Sequence, residues 1–414
     1  MTTSATTPPA PAPVPFARRV TRTAFGRHQS AAVRIGIAGT WLFFLLREWP
    51  NRAELYGPDG PWSFELAERL THASGAFTVL LWSDSTWWFE ACYHFGILTG
   101  AALLLGWRTR TASVLFMIGV LSLQNRSVYL GNGGDNVIHL MAVYLVLTRC
   151  GRVWSLDSRR ARRVPPGTGA DVTGLVLWTV LGAALAAATS GPLTPGWALL
   201  LWGLWLAQGL WWALVRYAPG EPRAVADALA NGVHNAALLV IMAEVCLIYA
   251  TAGWYKIQGS RWQDGTGAYF PLQVDHFKPW PALTEAVSSH ALLILAMTYL
   301  TVIVQVGFPF TVFHRRLKNA LLVVMIGEHL SIAVLLGLPF FSLAMIAVDV
   351  VFLPHGFFRW CENRLADARV ALRRRRAAPG GGGGGADAGG GDADEDAGAA
   401  EGKAPAGTPS ATAG

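Results

Sequence analysis

Runs of about 15 to 23 apolar residues recur along the chain, and each is long enough to cross a hydrocarbon core of roughly 30 Å as a helix. Composition agrees, since 52% of the 414 residues are hydrophobic and 14% are charged, whereas soluble domains carry roughly 25% charged residues. A β-barrel is disfavoured because its strands alternate apolar and polar residues. The sequence therefore predicts an all-α, polytopic membrane bundle.

Ten apolar segments, each closed by glycine, proline or charge, are predicted to be transmembrane helices. They cover residues 31–47, 88–106, 112–125, 136–149, 172–190, 196–215, 231–253, 290–313, 319–337 and 340–353. The third, fourth and last are short for a straight crossing, so one of them could be re-entrant. Residues 1–30 are expected to form a disordered basic arm, 31–355 the membrane domain, and 356–414 a basic and then Gly/Ala/Asp-rich disordered tail.

Lysine and arginine are concentrated in alternate connectors, which sets the predicted orientation. The positive-inside rule places the richer connectors, and with them both termini, in the cytoplasm of a multi-pass cell-membrane protein. The formal net charge of +7 then reflects topology and not nucleic-acid binding, because the arginines do not form one face with stacking aromatic residues. The richer connectors contain Arg108, Arg110, Arg152, Arg159, Arg160, Arg162, Arg163, Arg216, Arg223, Arg315, Arg316 and Lys318.

Ionisable side chains occur within the apolar segments, where each costs about 2.5–3.5 kcal/mol at a helix centre on insertion scales. A deeper set, near the predicted midplane, consists of Glu244, Glu328 and His329. An outer set, near the outer helix ends, consists of Glu90, His94, Arg126, Asp135, His139 and Lys256. The side chains of either set could pair across helices for structure alone, but the six groups of the outer set lie at one depth, which favours a site there.

Lys256 is the outer residue with the clearest possible chemical role. It follows an apolar helix and precedes aromatic residues, an environment in which an amine can serve as a general base. A lysine that extends its ammonium group to the membrane interface has the same spacing, so both interpretations stay open. No metal site is predicted, because Glu328 next to His329 lacks the i, i+4 histidine pair of a zinc helix.

Three segments resemble the HTTM domain, which vitamin K-dependent gamma-carboxylases share with sporulation-delaying protein B. The first is LIYATAGWYKI at 247–257 with WQDGTGAY at 262–269. The second comprises GWRTRTA at 106–112, NRS at 125–127, GNGGDN at 131–136 and WSLD at 154–157. The third is the pair Glu328-His329 in a late helix. Together they span most of the region from about residue 30 to 355.

The resemblance implies an extracytoplasmic working face with Lys256 as a base. In the carboxylases, the lysine of the matching segment deprotonates reduced vitamin K, so a reduced quinone is a possible cofactor. His139 or His94 would assist, and Trp262 and Asp264 would join the polar cluster. Tyr255 precedes Lys256, where the carboxylases present two adjacent lysines.

Three functions are consistent with these observations. The predicted cytoplasmic tail, in place of a large lumenal domain, makes the chain more similar to sporulation-delaying protein B, which acts with a partner in maturing a secreted antimicrobial peptide. The first function is therefore maturation or export of a secreted peptide together with a small partner protein. The second is a quinol-dependent, carboxylase-like or epoxidase-like enzyme. The third is a non-catalytic transporter or toxin-immunity protein, although no inverted repeat is evident.

Overall fold

The computed structural model describes residues 16–127, 129–163 and 171–377, and all regular secondary structure in these ranges is helical. A bundle of helices forms one compact unit within residues 1–360. A second unit comprises residues 361–414, of which 361–377 are described and helical. The predicted all-helical class is confirmed.

Twelve helices are labelled here, and further helices, of which Phe64–Ser74 is the longest, lie in the connectors between them. Each of the ten predicted segments coincides with one of the helices α2 to α11. The longest deviation is at α8, which begins at Glu221 instead of residue 231. The bounds are α1 Phe16–Arg22, α2 Arg27–Glu48, α3 Thr86–Leu105, α4 Thr109–Gln124, α5 Gly133–Leu147, α6 Val172–Thr189, α7 Pro195–Tyr217, α8 Glu221–Gln258, α9 Ala291–Thr311, α10 Arg315–Leu335, α11 Pro339–Asp349 and α12 His355–Ala377.

Among the described residues, seven helices are long and apolar enough to cross a membrane, and eight if the bent pair Pro339–Phe352 and His355–Ala371 counts as one span. Helices α4 and α5 are apolar but shorter. Helix α8 has 38 residues and is therefore roughly 57 Å long at 1.5 Å per residue. That length exceeds the hydrocarbon thickness, so a crossing by α8 would leave its polar first turns outside the apolar layer.

Helix α2 lies at the centre of the bundle and packs against α3, α5 and α11, while α8 packs against α9 and α5, and α10 against α9 and α11. Small residues allow these close approaches: a Cβ on Gly36 of α2 would lie 2.5 Å from the Cβ of Ala347 in α11. The core side chains Trp41, Tyr93 and Phe116 are almost completely buried.

The segment before α2, expected to be disordered, contains helix α1, which packs against the start of α8. Asn231 and Asn235 donate side-chain hydrogen bonds to the carbonyl groups of Thr21 and Val20, each at 2.9 Å. Residues 16–30 are thus ordered because polar side chains of α8 satisfy carbonyl groups in the last turn of α1. Residues 1–15 lie outside the described part of the chain.

The expected disordered tail likewise begins with a helix, α12, over His355–Ala377. Its sequence is rich in arginine and alanine, which have high helix propensity. The Gly/Ala/Asp-rich part that follows, from residue 378 onward, lies outside the described residues.

Helices α6 and α7 form a hairpin that is joined by a reciprocal tryptophan pair. The rings of Trp178 and Trp205 stack with centroids 3.9 Å apart, and each indole N–H donates to the other residue's carbonyl, at 3.1 and 2.8 Å. Gly182 and Gly209 lie under these rings, where a Cβ would come within 2.7 and 2.9 Å of the indole carbons. Glycine is therefore required for the close packing of this pair.

We expect Gly182→Leu to destabilise the protein by about 1–3 kcal/mol, because the larger side chain would push Trp205 out of the stack. The measurement is the thermal or denaturant unfolding midpoint of the purified protein in mild detergent. Gly203→Leu on α7 is the matched control, since a Cβ at Gly203 meets no atom within 4 Å. Equal midpoints for the two variants would contradict the role of this interface.

Candidate functional site

A cavity of about 840 Å³ lies among helices α5, α8, α9, α10 and α11. Its walls are mostly apolar. On α8 the lining residues Glu244, Ile248, Ala252 and Lys256 recur at intervals of four residues, with Tyr249 next to Ile248. This is the spacing of one helical face. The cavity has the volume and lining typical of small-molecule sites.

Lys256 and Glu328 are connected across this cavity through the side-chain amide of Gln305. The Lys256 Nζ donates to Gln305 Oε1 at 2.9 Å, and Gln305 Nε2 donates to Glu328 Oε1 at 2.7 Å. Gln305 is buried, whereas the ammonium group and the carboxylate are half-buried and line the cavity. Three helices, α8, α9 and α10, thus place one cation, one amide and one carboxylate in series.

The connector between α8 and α9 covers the Lys256 end of the cavity. The Lys256 Nζ lies 5.1 Å from the centre of the Trp262 ring, a distance at which a cation interacts favourably with an indole face. A Cβ on Gly267 would lie 2.5 Å from that ring, so glycine allows the backbone to pass over Trp262. Ala268 N donates to Thr298 Oγ1 of α9 at 3.0 Å, which attaches this connector to the bundle.

A second polar chain runs from the cavity into the core. Tyr249 donates its hydroxyl to Asp349 Oδ2 at 2.9 Å and lies 2.9 Å from His329 Nε2. With the tyrosine proton directed to Asp349, His329 Nε2 would donate to the phenol oxygen, and Nδ1 would carry a lone pair. This Nδ1 is buried and makes no hydrogen bond among the described residues. His329 also lines the cavity, which gives the site a second potential base.

Glu90 and His94, predicted in the outer cluster, lie away from this cavity. Arg52 contacts Glu90 through a salt bridge of 2.9 Å, and the Trp49 indole donates to His94 Nε2 at 3.2 Å. Neither residue lines the cavity. Their contacts connect the end of α2 to α3 and account for both side chains without a ligand.

Arg126, Asp135 and His139 are also separate from the cavity and have partners of their own. Arg126 is buried and donates to the Gly57 carbonyl at 2.8 Å. Asp135 accepts from the Asn132 backbone N–H at 2.8 Å in a capping box at the start of α5. His139 Nδ1 lies 3.1 Å from Gln124 Oε1. The structure therefore brings Lys256 together with the deeper predicted set and not with the outer one.

Of the remaining candidates, Glu244 lines the cavity and Asp264 stabilises a turn in its cover. Glu244 is half-buried and lies on the same face of α8 as Lys256. Asp264 accepts from the Thr266 hydroxyl at 2.5 Å and from its N–H at 2.9 Å. These hydrogen bonds lower the pKa of the Asp264 carboxyl from its ordinary value, so this turn keeps an ionised carboxylate at neutral pH.

Sequence reasoning missed Gln305 and Tyr249 as members of the site. Both are uncharged, so a search for ionisable groups in apolar helices does not find them. One signal was present: Gln305 is an amide within the apolar α9, and Tyr249 lies seven residues before Lys256 on the same face of α8. An uncharged polar residue in a transmembrane helix also needs a partner.

Replacing Gln305 with leucine is expected to destabilise the protein by about 1–3 kcal/mol, because Lys256 and Glu328 would each lose a buried hydrogen-bond partner. The unfolding midpoint in detergent or lipid nanodiscs measures this loss. Gln263→Leu in the exposed connector provides the control for the amide-to-leucine change. A midpoint equal to that of the control would contradict the bridging role of Gln305.

The arrangement is thus an apolar cavity with two potential bases, Lys256 Nζ and His329 Nδ1, and two carboxylates, Glu244 and Glu328, in its wall. Such a site can hold an amphipathic molecule and accept a proton from it. Comparisons with protein-family models, with curated proteins and with solved structures give no match to this chain.

Proposed function

We propose that this protein binds a reduced quinone of the membrane in the α5–α8–α9–α10–α11 cavity and uses Lys256 as a base toward it. The observation that carries the proposal is the Lys256–Gln305–Glu328 chain inside a largely apolar cavity. A quinol has a flat apolar ring with weakly acidic hydroxyl groups at its edges, so its polarity pattern matches that of the walls. The HTTM resemblance supports the same assignment for Lys256.

The residues present fit such a ligand. Pockets for small molecules commonly measure about 300–1,000 Å³ and combine apolar walls with a few polar groups, and this cavity measures about 840 Å³. The buried His329 Nδ1 has no hydrogen-bond partner among the described residues, and a ligand hydroxyl would supply one. An unpaired buried polar atom costs about 1–3 kcal/mol, so binding would recover stability that the unliganded site lacks.

Within this proposal each polar residue has a definite task. Lys256 Nζ accepts a proton from the ligand hydroxyl, and Gln305 fixes the position of Nζ through its carbonyl oxygen. Glu328 accepts a hydrogen bond from Gln305 Nε2, which prevents the amide from rotating. Trp262 and the connector that follows it exclude water from the Lys256 end. When bound, the reduced quinone supplies the electrons, and oxygen is their acceptor in the family that the chain resembles.

The proposed topology has all ten helices α2 to α11 crossing the membrane and both termini in the cytoplasm. Support comes from the arginine-rich connectors, which meet at the same ends of the helices, while Trp254 and Trp280 are exposed beside the cavity cover. Indole rings favour the headgroup level. The Lys256 end of the cavity would then face the extracytoplasmic side.

We expect the purified protein in lipid nanodiscs to consume oxygen when supplied with a reduced naphthoquinone, and Lys256→Ala to lower turnover by about 10²–10⁴-fold, the usual contribution of a general base. Oxygen uptake and epoxide formation are the two measurements. Lys278→Ala, in the same connector, is the control that also removes one lysine. Full turnover in Lys256→Ala would refute the assignment of the base.

Ligand binding can be tested without turnover by filling the cavity. Gly327 lies in its wall, and a Cβ there meets no atom within 4 Å. We expect Gly327→Phe to weaken binding of an oxidised naphthoquinone at least tenfold, because the ring would occupy the space of the ligand. Tryptophan fluorescence quenching measures the affinity, and Gly203→Phe on α7 is the control. Unchanged affinity in Gly327→Phe would place the ligand elsewhere.

Peptide maturation or export is the second candidate function, with a small partner protein. It is favoured by exposed aromatic side chains around the same end of α8, namely Tyr255, Tyr269 and Phe270, which could contact an apolar peptide segment. A photoreactive residue at position 255 should then crosslink to a coexpressed secreted-peptide precursor, and one at the exposed Tyr217 should not. Equal crosslinking at the two positions would count against this function.

A further inference from the structure

An arginine cluster surrounds Trp211 at the ends of four helices, far along α8 from Lys256. Its members come from the start of α4, the residues after α5, and the first turns of α8: Arg110, Arg149, Arg152 and Arg223. The guanidinium carbons of Arg110, Arg149 and Arg223 lie 3.8, 5.3 and 5.7 Å from the Trp211 ring centre. Four cations therefore converge where helices leave the apolar layer.

One carboxylate serves this cluster. Asp227 contacts Arg149, Arg223 and Arg152 at 2.6, 2.9 and 3.5 Å. The Arg110 guanidinium interacts electrostatically with Asp227 and with the other three arginines of the cluster. It makes no hydrogen bond or ion pair among the described residues. Four positive charges against one negative charge leave a local excess of three. Arg110 and Arg152 are exposed and can therefore reach an external anion.

The surroundings of the cluster fit a lipid better than a free anion. Trp211 belongs to α7, and only 11% of the residues in the most apolar stretch of this helix are buried. Leu206 and Leu210 on the same helix are 57% and 62% exposed, so acyl chains can lie along α7 directly beside the arginines. Guanidinium groups bind phosphate oxygens in a bidentate manner. We propose that this cluster binds the phosphate of an anionic phospholipid whose acyl chains lie along α7.

The proposal is independent of the quinol site and has a direct test. Native mass spectrometry of the full chain would count phosphatidylglycerol retained in competition with phosphatidylcholine. Arg110→Gln combined with Arg152→Gln should weaken phosphatidylglycerol binding roughly twenty-five-fold, about fivefold for each arginine removed near a membrane surface. Arg149 is left unchanged because it supports the fold through Asn231 and Asp227.

The control combines Arg69→Gln with Arg261→Gln, which removes two exposed arginines away from the cluster, and it should retain wild-type binding. Equal loss in the control would overturn the proposal, since it would show a general effect of net charge. Displacement of the lipid by an equal concentration of inorganic phosphate would also overturn it, by assigning the site to a free anion. If the double variant does not fold, Trp211→Leu keeps every charge and should still weaken lipid retention by removing the ring between the arginines.

Discussion

Polar groups within this bundle must find partners inside the protein, because the surrounding hydrocarbon offers none. That constraint explains why the ionisable side chains in the apolar helices occur in connected chains. Gln305 is the clearest case: its amide satisfies Lys256 on one side and Glu328 on the other, and so holds α8, α9 and α10 in register. Backbone N–H groups at the helix starts also have partners. Asn132 and Asp135 cap α5, and Asp157 accepts from the N–H groups of Arg108 and Thr109 at the start of α4.

The segments on which the expectation of an HTTM domain rests divide into two physical classes. The first class forms turns and caps and consists of segments 106–112, 125–127, 131–136 and 154–157. For example, Asp157 accepts from Thr109 N at 2.7 Å, and Asn125 donates to the Phe77 carbonyl at 2.8 Å. The second class contributes to the cavity and consists of segments 247–257 and 262–269 and the pair Glu328-His329. The first class fixes how the helices start and stop, although Gly133 and Asn136 of segment 131–136 also line the cavity. The second class determines which side chains meet.

Helix positions were predictable because each apolar run is uninterrupted and ends at a glycine, proline or charge, so all ten predicted segments coincide with helices. The start of α8 was missed because its first turns contain Glu221, Arg223 and Asp227, so the apolar run begins later than the helix. The candidate site was predicted in part. Lys256, Glu328 and His329 were identified one by one from their charge, but their grouping depends on helix rotation, which hydropathy does not encode. Depth alone grouped Lys256 with Glu90 and Asp135, which pair locally instead.

The amide between Lys256 and Glu328 has a chemical consequence. A direct ion pair would hold the ammonium group against the carboxylate and occupy its hydrogen bonds with a partner of opposite charge. The Gln305 carbonyl accepts one N–H of Lys256 and leaves its other two hydrogens, or a lone pair once the amine is neutral, directed to the cavity and the Trp262 face. A neutral bridge also lets Glu328 stay in place while Lys256 changes charge, because the amide tolerates either state of the amine. This property suits the proposed role of Lys256 as a base that gains and loses a proton.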